Sequence, residues 1–152
     1  MLVILEGCDG SGKSTLARSL AKVLGAEIIH CTSRTPNDKK FFESIIEASK
    51  TRNIIADRFC YGQYVYQDKK DRPLGNYEDL NNLEAKMLEA GAKVLFVGAP
   101  IEEIEERLAA RGEKLMNGLK VGEVVLKFEE LFTLHSILGD NVIQWNTGGG
   151  WK

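Results

Sequence analysis

Short apolar runs alternate along this chain with longer stretches whose apolar residues recur at helical spacing. Leu2 to Leu5, Glu27 to Ile29, Asn53 to Ala56, Lys93 to Val97 and Asn141 to Trp145 read as strands. Helical spacing marks Lys13 to Leu24, where Leu16, Leu20, Val23 and Leu24 repeat, and then Asp38 to Lys50, Tyr77 to Ala90, Ile101 to Arg111 and Glu123 to Leu138. Gly25, Gly91 and Gly112 stop helices, Asn76 with Asp79 resembles a capping pair, and Pro100 starts a helix. The alternation predicts an α/β domain with a mostly parallel sheet, in which ligands bind outside the carboxyl ends of the strands. Functional residues are therefore expected just after each strand.

The chemistry gathers at those positions. Directly after the first strand comes Gly7-Cys8-Asp9-Gly10-Ser11-Gly12-Lys13-Ser14, a complete G-x-x-x-x-G-K-[ST] phosphate loop opening a helix. Its backbone N–H groups and the helix N-terminus suit phosphate oxygens; Lys13 would reach the β- and γ-phosphates of ATP, and Ser14 would ligate Mg2+. Asp57-Arg58-Phe59 follows the third strand, so that Arg58 is placed to bind a second phosphate and Asp57 to hold Mg2+ or its water. The alternative for Asp57 and Arg58 is an ordinary ion pair between neighbours. Arg107 and Arg111 share one helical face, where surface pairing with Glu103 and Glu106 is the competing reading. His30 and His135 read as structural, and Phe41, Phe42, Ile45 and Ile46 as a buried helix stripe.

Composition narrows the partners. At 152 residues the chain is expected to be one domain, residues 1–152, and a net charge of -2 gives no global footprint for nucleic acid or anionic membrane. No run is long enough to span a bilayer and the first residues lead straight into a strand, so a soluble cytoplasmic location is expected. Cys8, Cys31 and Cys60 lack metal-site spacing; buried thiols are the default, although each follows a predicted strand and so falls near the ligand edge. Gln67 to Gly75 reads as a solvated loop, and the tail from Thr147 to Lys152 as mobile, with its beginning beside the adenine.

The stretch Leu5-Glu6-Gly7-Cys8-Asp9-Gly10-Ser11-Gly12-Lys13-Ser14-Thr15 resembles the phosphate loop of thymidylate kinases. Asp57-Arg58-Phe59 followed by Tyr66-Gln67, Arg34-Thr35-Pro36, and Arg107 with Arg111 resemble further motifs of that family. The resemblance implies a P-loop nucleoside monophosphate kinase fold, with a five-stranded parallel sheet in the order 2-3-1-4-5 flanked by helices and a small lid near 107–122. It implies transfer of the γ-phosphate of ATP, with Mg2+, to a deoxynucleoside monophosphate. Gly10, Ser11, Gly12, Lys13, Ser14 and Thr15 would cradle ATP; Arg34 and Arg58 would clamp the acceptor phosphate. Asp9 would approach the sugar 3'-hydroxyl, Gln63 the base and Tyr66 the sugar, while Arg107 and Arg111 would stabilise the transferring group. A homodimer is compatible with it.

Three departures bear on the acceptor. The chain is shorter than the family between Pro36 and Asn53, no arginine lies between Arg34 and Arg52, and Gly62 stands where a serine is frequent. Two other readings therefore stay open: a P-loop kinase acting on a hydroxyl of a modified base in DNA, and a nucleotide-binding switch or regulatory ATPase. Against the switch, the fourth strand ends Val97-Gly98-Ala99 without an acidic residue, and no N-K-x-D motif is present.

Overall fold

The computed structural model describes residues 1–115 and 118–147. Five strands, β1 (Leu2–Glu6), β2 (Glu27–His30), β3 (Ile54–Asp57), β4 (Lys93–Gly98) and β5 (Val142–Asn146), form one sheet in the order β2-β3-β1-β4-β5 with every pairing parallel. This is the predicted fold and strand order. The central strands alternate with period two: Leu2, Ile4, Ile54, Ala56, Val94 and Phe96 face one core cluster, and Val3, Leu5, Ile55, Leu95 and Val97 the other.

The two faces are covered unequally. Helix α1 (Lys13–Leu24) lays Leu16, Ala17, Leu20, Ala21 and Leu24 on the second face. The first face carries α2 (Lys39–Ala48), α3 (Gly62–Tyr66), α4 (Tyr77–Glu89), α5 (Ile101–Ala110) and α6 (Val121–Glu130), whose Phe42, Val65, Leu83, Leu108 and Phe128 join its core. Local chemistry sets the ends. Asp38 accepts from Phe41 N–H at 2.9 Å, and Asn76 and Asp79 form a reciprocal capping box. Gly25 closes α1 in the left-handed conformation at φ 60°.

Two expectations need correction. The last helix starts at Val121 and not Glu123, and it stops being α-helical at Glu130; Leu131–His135 is a π turn and the chain is no longer helical at Leu138. The apolar stripe continues through Leu131 and Leu138, so periodicity alone could not see the change of winding. Helix α3 was not anticipated at all, being too short to show a period. The 67–75 stretch contains a 3-10 turn, Lys69–Asp71. Of the segment 107–122, Met116 and Asn117 lie outside the described residues, as do residues 148–152 of the tail.

Candidate active site

The parallel sheet brings the ends of β1, β2 and β3 together, and two adjoining cavities open there. One, of about 350 Å3, is lined by Asp9, Gly10 and Gly12 to Thr15 of the phosphate loop, by His30, Cys31, Asp57 and Arg58, and by Arg111 and Glu113 after α5. The other, of about 80 Å3, is lined by Glu6, Phe59, Gln63, Tyr66, Gln67 and Phe128 among others. Cys31, Thr32 and Arg58 border both.

The loop turns sharply off β1. Gly7 stands at φ 145°, and a Cβ there would fall 2.3 Å from the Val97 carbonyl oxygen, so no side chain fits. Lys13 is buried; its ammonium donates to Gly7 O at 2.8 Å and Cys8 O at 2.9 Å. Burial pulls its pKa down, opposed by the carboxylates of Glu6 and Asp57. Arg107 donates to Gly10 O at 2.9 Å. The carbonyls of Gly7, Cys8 and Gly10 are thus held by cations, and α1 begins with no acidic residue in its first turn, leaving its N-terminal N–H groups to an anion.

Ser14 donates its hydroxyl to Asp57 Oδ2 at 3.0 Å, and His30 Nδ1 lies 3.1 Å from the same oxygen, β2 pairing His30 with Asp57 in register. A hydroxyl and a carboxylate facing a phosphate cavity are the oxygen donors Mg2+ takes alongside phosphate and water. No cluster of three or more His, Cys, Asp or Glu able to hold a metal occurs among the described residues. A magnesium ion here would therefore depend on the nucleotide for much of its shell.

Arg58 adopts a left-handed backbone, φ 68°, secured by its N–H to Leu5 O at 2.9 Å. Its guanidinium pairs with Asp9, while Asp57 pairs with His30, so the neighbours Asp57 and Arg58 each have another partner. Glu6 holds the following turn: its Oε2 accepts from Phe59 N–H at 3.1 Å and Tyr61 N–H at 3.0 Å. Burial raises the Glu6 pKa to about 7 against the pull of Lys13, Arg58 and those two bonds. No motif in the sequence gives Glu6 a role; its phase with Leu2 and Ile4, which puts it on the buried face, is the signal that marks it.

The anticipated acceptor residues divide. Asp9, Arg58, Gln63 and Tyr66 line the cavities. Arg34 does not: it is exposed on a turn closed by Thr35 Oγ1 and Asn37 Nδ2 donating to Thr32 O, both at 2.8 Å. The Gln63 amide is already engaged at both ends, donating to Asn37 O at 3.1 Å and accepting from Leu74 N–H at 2.8 Å. Gln67, which follows Tyr66, holds its Oε1 buried with no hydrogen-bond partner among the described residues, beside the smaller cavity. Phe42 is fully buried against Phe59, as a core residue. Arg111 reaches the phosphate cavity, whereas Arg107 lies on the loop side, with Glu103 3.5 Å away. The three thiols are buried and their pKa values raised by burial, Cys31 to about 12; Cys8 contacts Tyr66, and Cys60 sits in the core.

No family model matches the chain. It is 33% identical over 151 residues to the SPbeta prophage-derived uncharacterized protein YorR of Bacillus subtilis, across 97% of this chain and 89% of YorR. The crystal structure of YorR in complex with phosphorylated GDP superimposes with a TM-score of 0.77 at 31% identity, covering 100% of this chain and 88% of that one. Thymidylate kinase of Neorickettsia sennetsu is 28% identical across 65% of this chain and 66% of its own length. Deoxyadenosine kinase from M. mycoides with bound dATP shares the fold at a TM-score of 0.61 and 16% identity, over 96% of this chain and 91% of that one. With YorR matched along nearly its whole length, the chain belongs to the family of YorR, built on the fold of the P-loop nucleotide kinases.

Proposed function

We propose that this protein transfers the γ-phosphate of ATP to a nucleoside monophosphate, with thymidylate or a modified deoxyuridylate as the acceptor. The observation that carries the reading is the junction of the two cavities at Arg58. Phosphoryl transfer asks a protein mainly to hold two anions in line and neutralise their charge. Here a phosphate loop faces one cavity, a smaller pocket with an aromatic and amide lining faces the other, and a guanidinium stands between them.

In this reading Gly10 to Thr15 cradle ATP, and Lys13 exchanges its loop carbonyls for the β- and γ-phosphates. Ser14 and Asp57 would hold Mg2+, which would supply positive charge against the negative charge of the nucleotide phosphates. Arg58 binds the acceptor phosphate with the donors Asp9 leaves free, since a guanidinium has five. Asp9 meets the sugar, Tyr66 packs on it, and Gln63 and Gln67 meet the base. Arg34 joins only by movement of its turn. Arg111, just past α5, neutralises the transferring group. The acceptor phosphate is already largely ionised, so no general base is needed.

The base is the open point, because YorR was crystallised with phosphorylated GDP. A larger acceptor is favoured by one observation: a cleft of about 310 Å3, lined by Lys69, Arg72 and Lys127 together with Asp68 and Glu130, adjoins the small cavity through Gln67. A coupled ATP-consumption screen over all ribo- and deoxynucleoside monophosphates, plus short unmodified and hydroxyl-bearing DNA, tests the proposal. Strong stimulation by thymidylate or deoxyuridylate analogues is expected. Stimulation by guanylates alone would reassign the base, by DNA alone would transfer the function to the larger acceptor, and by nothing would leave a switch or regulatory ATPase.

A further inference from the structure

Beyond β5 the chain runs one described residue past the sheet, and that residue closes on the phosphate loop. Thr147 N–H donates to Gly98 O at 2.8 Å, continuing the β4–β5 ladder past the Gly98–Asn146 pair. The Thr147 hydroxyl is 3.3 Å from the same oxygen but closer to the carbonyl oxygen of Ser11, to which it donates. A hydroxyl has one proton, so the bond to Ser11 takes it. In a trans peptide C=O and N–H point to opposite sides, so a Ser11 carbonyl drawn to Thr147 turns the Gly12 N–H the other way. Gly12 lines the phosphate cavity and Thr147 does not. Gly12 records how near the two are: it stands at φ 99°, and a Cβ there would lie 3.1 Å from Thr147 Oγ1.

The other side chains that anchor loop carbonyls are charged. Lys13 holds Gly7 O and Cys8 O, and Arg107 holds Gly10 O. In the nucleotide reading Lys13 leaves those carbonyls for phosphate. Thr147 is neutral, is fixed to the sheet by its own backbone, and has no reason to let go.

We propose that Thr147 is a positioning residue for the nucleotide phosphates: a sheet-anchored latch that sets the Ser11–Gly12 peptide, with its N–H toward the phosphate cavity, before nucleotide arrives. This rests on the nucleotide reading above. Its value lies in preorganisation, because a donor already aimed at an anion costs nothing to orient on binding.

Calorimetric titration with Mg2+–ADP and a non-hydrolysable ATP analogue, without acceptor, reads the latch independently of which acceptor the protein takes. Thr147→Val keeps the shape and removes the donor, and should weaken both nucleotides by about 3- to 10-fold, the effect of one hydrogen bond. Thr147→Ser keeps the donor and should bind within about twofold of the parent. A Val variant that binds like the parent, or a Ser variant as weak as Val, overturns the latch while leaving the nucleotide reading intact. If Thr147→Val does not fold, Thr147→Ala is read in the same way; if neither folds, Thr147 is a determinant of the fold and the proposal is wrong. A parent chain that binds neither nucleotide overturns the nucleotide reading, and the latch with it.

Discussion

At the scale of single residues, Glu6 shows how burial and hydrogen bonding compete within one carboxyl group. It is enclosed at the end of β1, and the desolvation that raises its pKa to about 7 outweighs two cations and two backbone N–H bonds. Between the ordinary 4.5 and about 7, the folded chain holds a proton that the unfolded chain has released. The group therefore costs stability progressively as pH rises through that window, and the cost is level above it. Glu6→Gln removes the titration, and its carbonyl oxygen can still accept from Phe59 and Tyr61. Relative to the parent, the variant should gain stability between pH 4.5 and 7, by up to on the order of 3 kcal/mol. Urea unfolding at pH 5, 6, 7 and 8 reads this; a difference that does not change with pH would mean that Glu6 is not held neutral by burial.

At the scale of elements, α5 and its C-cap carry two arginines that the fold sends to different places. Ile104 and Leu108 fix the helix in the core, and on that scaffold Arg107 reaches the Gly10 carbonyl while Arg111, just past the last turn, borders the phosphate cavity. The i, i+4 pairing of Arg107 with Glu103 is present as well, at a loose 3.5 Å. Arginines that meet a transferring phosphoryl group can be worth ~10³ to 10⁵ in rate. Arg111→Ala should lower kcat at least about tenfold with little change in the KM for ATP, because its charge is needed most in the transition state. Arg107→Ala should act the other way, raising the KM for ATP through a loosened loop. Steady-state kinetics with the best acceptor separates the two, and equal losses of kcat from both variants would restore the picture of a shared lid.

At the scale of the whole molecule, Glu84 ties distant segments together. Fully buried on α4, it accepts from Tyr61 Oη at 2.7 Å, from Asn81 Nδ2 at 2.9 Å, from Ile137 N–H at 3.1 Å and from the Ser136 hydroxyl. Tyr61 in turn gives its N–H to Glu6, so one chain of bonds runs from the floor of the small cavity to the segment after the π turn. Glu84→Ala would orphan the buried Tyr61 hydroxyl and take an acceptor from the partly buried donors of Ser136 and Ile137, and should cost about 3 kcal/mol or more, some 10 °C in Tm. A Tm within about 2 °C of the parent would show that water replaces the carboxylate at no penalty. Little of this tie could be read in advance, since Glu84 follows a helical pattern like any exposed glutamate and its partners outside α4 lie 23 to 53 residues away. The sheet and the phosphate loop were legible, because each depends on neighbours in sequence: the apolar run from Leu2 to Leu5, helical spacing from Leu16 to Leu24, and glycines at the turn between them. That legibility extended to Asp57 and Arg58, for a parallel sheet puts every strand end on one edge. What only the tertiary structure decided is which of those side chains meet: Arg58 with Asp9, Gln63 with the loops around it, Arg34 outside both cavities, and Thr147 on Ser11 across a separation of 136 residues. Local periodicity determines an element and the face it buries; the partners of a polar group are chosen by how elements pack, and no period in the sequence records that.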